Sequence, residues 1–331
     1  MSTVAVTGAT GFIGSAVVRK LVERGRKVRA LVEPGASMKN LESLAGSIER
    51  VTVDVCDGKA MERALSGCQT LYHLAAIYRT WLPDPSIIYR VNLEGTTTTL
   101  LAAQKVGIER IVYTSSIAAI GLREDGRPSD ETVEFNLWDI ANDYIITKHL
   151  SERIAMNFAR DGLPIVVVNP GFPFGPGDTA PTPTGKILLS LLKGQVPGVG
   201  PGGFSAIDVD DVAEGHLAAE ERGRVGERYI LANHNVTLKE FFELACSIAG
   251  IKAPTLPMPR AVSLAIALGM ELWADRVSQK EPPATYKALL YAQKNVFFDN
   301  TKARTELGLP QTPLEHSIER AIKWFRDNGM V

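Results

Sequence analysis

Tyr144 and Lys148 stand four residues apart in Asp143-Tyr144-Ile145-Ile146-Thr147-Lys148, so on a helix they share one face. A tyrosine phenol ordinarily gives up its proton near pH ~10. An ammonium beside it favours the phenolate and lowers that value, and a second positive charge nearby would add to the effect. Such a phenol can trade a proton with a hydroxyl or carbonyl group near neutral pH. Upstream, Thr114-Ser115-Ser116 closes the apolar run that begins at Arg110. Its hydroxyls suit hydrogen bonding to the oxygen on which that proton is exchanged. Each feature alone is common; the combination carries the meaning.

Residues that exchange protons need a partner to do harder chemistry, and the first residues of the chain offer one. Thr7-Gly8-Ala9-Thr10-Gly11-Phe12-Ile13-Gly14 follows an apolar strand, Thr3 to Val6. It leads into Phe12 to Glu23, whose apolar residues recur at helical spacing. Strand, glycine turn and helix is the context of a dinucleotide fingerprint, here spaced GxxGxxG. Gly8 permits the tight turn, Gly11 lets the backbone approach a pyrophosphate, and Gly14 lets helix and strand pack closely. The helix N-terminus then presents free N–H groups and a positive dipole end to phosphate.

The elements that must position these residues alternate through the first half. Further strands are expected at Lys27–Val32, Ile48–Asp54, Thr70–Leu74, Arg110–Ser115 and Pro164–Asn169, several apolar nearly throughout, as strands buried on both faces are. Helices are expected near Ala36–Ala45, Lys59–Leu65, Ile87–Val106 and Tyr144–Asp161. Repeated βα units predict an α/β fold, a Rossmann-type doubly wound parallel sheet with helices on both faces. In such sheets ligands bind at the carboxyl ends of the strands, where Thr114, Ser115 and Ser116 fall. After Asn169 the texture changes to proline- and glycine-rich loops, Pro170–Pro183 and Pro197–Gly203, followed by helical segments. Glu227–Ala232 reads as one more strand returning to the sheet. The expected division is a dinucleotide-binding domain over residues 1–170, with 206–235 returning to it, and a substrate-binding region formed by 171–205 and 236–331.

Composition narrows the rest. The chain has 331 residues, 45% apolar and 22% charged, with a net charge of −1, which gives no electrostatic reason to expect nucleic acid or an anionic membrane. Cys56, Cys68 and Cys246 lack metal-ligand spacing and read as reduced thiols of a cytoplasmic protein. The first strand begins at once and leaves no room for a signal peptide. Ala261–Ala274 is notably apolar but interrupted by Gly269 and Glu271; it reads as a core or lid helix, too short to cross a membrane, with peripheral membrane association to reach a lipid substrate as the alternative. The five histidines show no ligand constellation, and Asp210-Asp211 reads as an acidic pair at a helix N-terminus, so no metal is expected.

TGATGFIG, the Thr-Ser-Ser strand end and Tyr144-x-x-x-Lys148 together resemble the extended short-chain dehydrogenase/reductase family, over nearly the whole chain. The resemblance implies Tyr144 as acid/base, Lys148 as its electrostatic partner and cofactor-ribose ligand, and Ser116 as donor to the substrate oxygen, with Ser115 the competing choice. It implies cofactor contacts from Gly8, Thr10, Gly11, Phe12 and Ile13 in the turn, and from Thr114 and Ser115 at the strand end. Asp54 and Val55 would lie near adenine, Leu74, Ala75, Ala76 and Asn92 along the cofactor, and Pro170, Gly171 and Phe172 beside the nicotinamide. Within the family the chain resembles hopanoid-associated sugar epimerases, themselves similar to dihydroflavonol reductases. The stretches that carry this are Tyr78–Pro85, Pro181–Gly185, Asp210–His216 and Trp324–Gly329.

Glu33 ends the second strand, where an acidic residue would bond the adenosine ribose hydroxyls and repel the extra phosphate of NADP. NAD is therefore the expected cofactor, with NADP second. Relatives in the subgroup carry arginine there, and Lys39 is the residue that could instead reach a 2′-phosphate. Two reactions fit the resemblance: reduction of a small aldehyde or ketone, or oxidation of the alcohol, and epimerisation of a nucleotide sugar. The epimerase must hold a diphosphate, usually with arginine. Gly200–Ile207, the segment before Asp208 where such enzymes place it, contains none. Ser116-Ile117-Ala118 lacks the acidic pair of a sugar-nucleotide dehydratase. Arg123, Arg127 and Arg260 remain as residues that could reach the site from elsewhere. Tyr78, Trp81, Phe174 and Phe204, with Phe172, would give an aromatic, weakly charged substrate pocket. A cofactor-sensing protein without catalysis is the third reading. The Ile87–Val106 and Tyr144–Asp161 helices are the expected surfaces of a homodimer.

Overall fold

The computed structural model describes residues 3–331. Seven parallel strands form the main sheet in the order β3-β2-β1-β4-β5-β6-β9. They are β1 (Thr3–Thr7), β2 (Lys27–Val32), β3 (Ile48–Thr52), β4 (Cys68–His73), β5 (Arg110–Thr114), β6 (Ile165–Pro170) and β9 (Arg228–Leu231). All six residues of β6 are buried, as an apolar run covered on both faces requires. Helices α1 (Phe12–Glu23) and α7 (Val209–Arg222) pack with Val4, Val6, Val112 and Val166 in one core. On the opposite face α2 (Gly58–Leu65), α4 (Gly95–Val106) and α5 (Asp143–Arg160) cover Ala5, Leu71, Ile111 and Val167. The expected doubly wound α/β sheet is the fold observed.

The helix expected at Ala36–Ala45 is only a short 3-10 segment, Lys39–Leu44. Pro34 and Gly35, the latter with φ +82°, delay its start. The Ile87–Val106 helix forms in three joined pieces: α3 (Ser86–Tyr89), a π-turn at Arg90–Glu94, and α4. The π-turn displaces Asn92 inward, and such bulges are frequent at functional sites.

A smaller sheet is built around β8 (Gly203–Asp208), which pairs with β7 (Phe172–Phe174) and β11 (Asn295–Val296) in parallel and with β10 (His234–Thr237) antiparallel. Helices α6 (Pro183–Leu192), α8 (Leu238–Ala249) and α11 (Leu314–Asp327) pack on it, around Phe174, Phe204, Phe241 and Phe325. Two more helices, α9 (Arg260–Trp273) and α10 (Tyr286–Ala292), lie outside that core. The chain leaves the main sheet after Pro170 and returns through α7 and β9, while residues 206–208 and 234–235 pair within the small sheet. The two sheets meet at Gly171, where a Cβ would lie 2.5 Å from the Ser205 carbonyl oxygen.

Candidate active site

Helix α5 begins at Asn142, whose side chain accepts a hydrogen bond from the Ile145 N–H at 3.0 Å and caps it. This cap sets the first turn, so Tyr144 and Lys148 project from one face toward the end of β5. The Lys148 ammonium donates to the Thr114 carbonyl at 2.8 Å and lies 5.7 Å from the centroid of the Tyr113 ring. Burial lowers its pKa to about 8, against the pull of Glu152 one turn further along. Burial pushes the Tyr144 phenol up to about 12, and hydrogen bonding with Ser116 acts in the opposite direction. Desolvation dominates at Tyr144 in this state and outweighs the lowering expected from the sequence.

Ser116 heads the 3-10 turn Ile117–Ala119, and its hydroxyl accepts from the Ala118 N–H at 3.1 Å. Behind it is a network that sequence reasoning missed. The Asn169 amide donates to the Ser116 carbonyl at 2.9 Å and to Glu152, which also accepts from Arg228 at 2.7 Å. Strand end, helix α5 and β9 are so locked together. Glu152 follows Lys148 by four residues, the only trace of this in the sequence.

Ser115 is buried with an unpartnered hydroxyl, which suits a ligand contact. Thr114, expected among the cofactor contacts, is engaged within the protein. Its carbonyl holds Lys148 and its hydroxyl donates to His216 Nε2 at 2.9 Å, the ring's Nδ1–H being directed at the Val212 carbonyl. Asn92 likewise is a strut. Its amide grips the Ile77 N–H at 2.7 Å and the Ile77 carbonyl at 3.2 Å, and reaches Thr147 at 3.0 Å. Both ends of the side chain are consumed in tying the segment before Tyr78 to α5.

Tyr78 meets Tyr144 with ring centroids 4.4 Å apart. Tyr291, from α10, packs in the same cluster as Tyr144 and Ile145, and its buried hydroxyl has no partner. Burial holds both phenols far above the ordinary range, and Tyr144 adds to the effect. Tyr291 was not legible in sequence, since nothing local marks it. Trp81 donates from Nε1 to Asp275 at 2.8 Å, linking this segment to the end of α9. Phe174 and Phe204 are 2% and 4% exposed and pack on Phe241. They are core residues of the small sheet, not the pocket walls expected. Phe172 is half-buried, against Phe204 at 5.0 Å.

The glycine turn forms a cradle that other residues would fill. Gly8 has φ +64°, and a Cβ there would lie 2.8 Å from the Ala75 N. A Cβ on Gly14 would collide with the Gly8 carbonyl, and one on Gly11 would sit 3.2 Å from it. No side chain caps the start of α1 at Gly11, so its N–H groups remain for phosphate. Phe12 is turned into the core, Ile13 is half-buried, and the Thr10 carbonyl accepts from Asn40 at 3.0 Å. Glu33 and Asp54 are exposed at the ends of β2 and β3, with Val55 half-buried. Leu74, Ala75 and Ala76 follow β4 across from Gly8, positioned by the Thr7 hydroxyl, which accepts from the Leu74 and Ala75 N–H groups at 3.1 Å. Pro170 and Gly171 lie where the two sheets meet. The cradle fits a dinucleotide.

A family described as NAD dependent epimerase/dehydratase matches residues 4–232. The chain belongs to that family. Its cofactor is the NAD of the family. A Synechocystis protein provisionally named dihydroflavonol 4-reductase is 39% identical over 330 residues, covering 98% of this chain and 95% of its own. Sterol demethylase protein B of Methylococcus capsulatus is 32% identical over 330 residues, covering 99% of this chain and 100% of its own. The crystal structure of gox2253 is 40% identical, covers 100% of both chains and superposes with a TM-score of 0.89. The crystal structure of PA4631, described as a nucleoside-diphosphate-sugar epimerase from Pseudomonas aeruginosa, is 29% identical, covers 99% of both chains and superposes with a TM-score of 0.83. Proteins named as reductases and as epimerases thus both stand among the relatives of this family member.

Two buried histidines beside this site give the family member a defined response to acid. Burial lowers His73 to about 3 and His216 to about 4, from an unfolded value of about 6.5. Their stabilisation is therefore complete above pH ~6.5 and is lost as pH falls toward those values. Asp178, raised to about 6 by burial, and Glu131 and Asp211, also raised by burial, work in the opposite direction. Unfolding free energy from urea titration is expected to fall between pH ~6.5 and ~4.5, and His216→Gln should flatten the decline. A flat profile in the unaltered protein would contradict this account.

Proposed function

We propose that the protein is an NAD-dependent reductase of an apolar carbonyl compound, acting in reverse as an alcohol dehydrogenase. The observation that carries this reading is the uncharged aromatic surround of Tyr144, made by Tyr78 and Tyr291. Arginines that could have held a diphosphate are engaged elsewhere. Arg123 is paired with Asp130 at 2.6 Å, Arg127 with Asp125 at 2.7 Å, and Arg79 with Glu281 at 2.9 Å. Arg260 is exposed at the start of α9. Relatives named for a dihydroflavonol and for a sterol support a ring-bearing, lipophilic substrate.

The nicotinamide, when bound, supplies the hydride for the carbonyl carbon. Ser116 and Tyr144 direct two hydroxyls at the carbonyl oxygen, and Tyr144 delivers the proton that completes the alcohol. The Lys148 cation, held by the Thr114 carbonyl, stabilises the phenolate left behind. Tyr78 and Tyr291 exclude water, which strengthens these interactions. Glu33 at the end of β2 selects NAD by repelling a 2′-phosphate.

The test is nicotinamide absorbance with NADH and NADPH against a panel of ring-bearing ketones and aldehydes, with UDP-sugars followed in parallel by chromatography. Net NADH consumption with the ketones is the expected result. Sugar interconversion without net absorbance change would make the protein an epimerase, and cofactor binding without turnover would make it a sensor. Glu33→Arg is expected to shift the NADH/NADPH ratio of kcat/KM toward NADPH on the order of 100-fold, as an arginine–phosphate pair replaces a repulsion. A preference for NADPH in the unaltered protein would refute the role given to Glu33.

A further inference from the structure

Helix α9 meets the protein through Ser263, Leu264, Ala267 and Glu271 and turns most of its large apolar side chains to water. Ala267 is its only buried residue, so of the core or lid helix expected the core alternative does not hold. Its inward side carries Ser263 and Glu271. The Ser263 hydroxyl accepts from Gln293 at 2.9 Å, and Glu271 accepts from the Tyr286 N–H at 2.7 Å. Its outward side carries Val262, Ile266, Leu268, Met270, Leu272 and Trp273, between 37% and 62% exposed. Single exposed apolar residues are ordinary, but a contiguous patch of this kind marks a contact surface.

The charges around the patch are sorted by sign. Glu271 is bound to the Tyr286 backbone, Asp275 to Trp81, and Glu281 to Arg79 and Lys186. Lys252, Arg260, Arg276, Lys280 and Lys287 make no ion pair among the described residues. Arg260 even sits at the N-terminal end of α9, where the helix dipole opposes a cation. The result is an apolar stripe rimmed by unpaired cations, the arrangement of a helix lying in a membrane interface.

We propose that α9 docks the protein peripherally on an anionic lipid bilayer, with its outward stripe in the headgroup–acyl boundary. A second copy of this chain is the poorer occupant, because a two-fold contact sets each patch against its own copy and brings like-charged rims together. At about 1.5 Å per residue the 14-residue helix is too short to cross ~30 Å of hydrocarbon, and no helix among the described residues is long and apolar enough to do so. A cavity of about 430 Å³ opens between α9 and the 278–283 turn, lined by Ile266, Met270, Trp273 and Pro282. The Trp81–Asp275 and Arg79–Glu281 links then join the docked helix to the segment carrying Tyr78. Docking stands whatever the reaction; delivery of an apolar substrate from the bilayer rests on the reading above.

The experiment is flotation of the full chain with phosphatidylglycerol-containing vesicles and with pure phosphatidylcholine vesicles. Binding to the anionic vesicles should be at least about tenfold stronger and weaken with salt. The double variant Leu268→Glu/Leu272→Glu should stay unbound while reducing a water-soluble ketone at the unaltered rate. Absence of flotation, or equal flotation of the variant, overturns the proposal. So does an unaltered protein that is dimeric by size-exclusion chromatography and becomes monomeric in the variant without having bound lipid. Flotation without any ketone reduction would support the docking and defeat only the proposed reaction.

Discussion

Tyr144→Phe is expected to lower the rate of carbonyl reduction about 1,000-fold, equivalent to about 4 kcal/mol of barrier, the scale of a lost general acid. NADH binding should stay within about twofold, since the ring that packs 4.4 Å from Tyr78 is retained and a truncation that keeps the packing leaves binding largely intact. The comparison that gives the result its force is Tyr291→Phe. That phenol is buried in the same cluster and is likewise raised by desolvation. It shares no helix face with Lys148 and has no link to Ser116, so its loss should cost less than about tenfold. Single-turnover absorbance at the nicotinamide band separates the two. If Tyr291→Phe proved the more damaging, the proton would have to come from Tyr291, and the role given to the α5 face would be wrong.

Gly14→Ala is expected to weaken NADH binding by more than about 100-fold and to destabilise the fold by about 3 kcal/mol, the range for forced backbone movement in a packed turn. The added Cβ points at the Gly8 carbonyl and carbon and at the Ala9 Cα, all of them backbone atoms that no rotamer change can move. Either α1 withdraws from β1, or the turn opens and the N–H groups at its start lose their aim. Gly46→Ala is the control, since a Cβ there meets nothing within 4 Å and its φ is not positive. NADH titration by fluorescence, with urea unfolding of the same samples, reads both effects. Unaltered affinity in Gly14→Ala would mean that the cradle is not where the pyrophosphate binds.

The most legible features were those whose physics is contained in a few consecutive residues. The run from Thr7 to Gly14 had to be a turn between a strand and a helix, because Gly8 supplies the positive φ and Gly14 the close approach of α1 to the turn. Tyr144 and Lys148 had to share a face once α5 formed. The buried strands announced a parallel sheet through their unbroken apolar runs. Aromatic residues were less legible, since the same side chain serves a core or a pocket. Phe174 and Phe204 fill the small sheet's interior because β7 and β8 pair there. Residues that hydrogen-bond in the site were read by type and not by partner. Thr114 and Asn92 are consumed by His216 and Ile77, contacts that no spacing reveals.

By itself, then, the sequence determined the sheet, the cradle and the Tyr144–Lys148 pair, since these follow from backbone sterics and helical periodicity over short spans. Tertiary structure alone decided the rest. It brought Tyr291 to Tyr144 from far along the chain, and it raised the phenol to about 12 because burial outweighs the hydrogen bond with Ser116. It also turned the apolar side of α9 outward, with Ser263 and Glu271 tied to Gln293 and the Tyr286 N–H on the inward side, contacts between segments that helical periodicity does not contain.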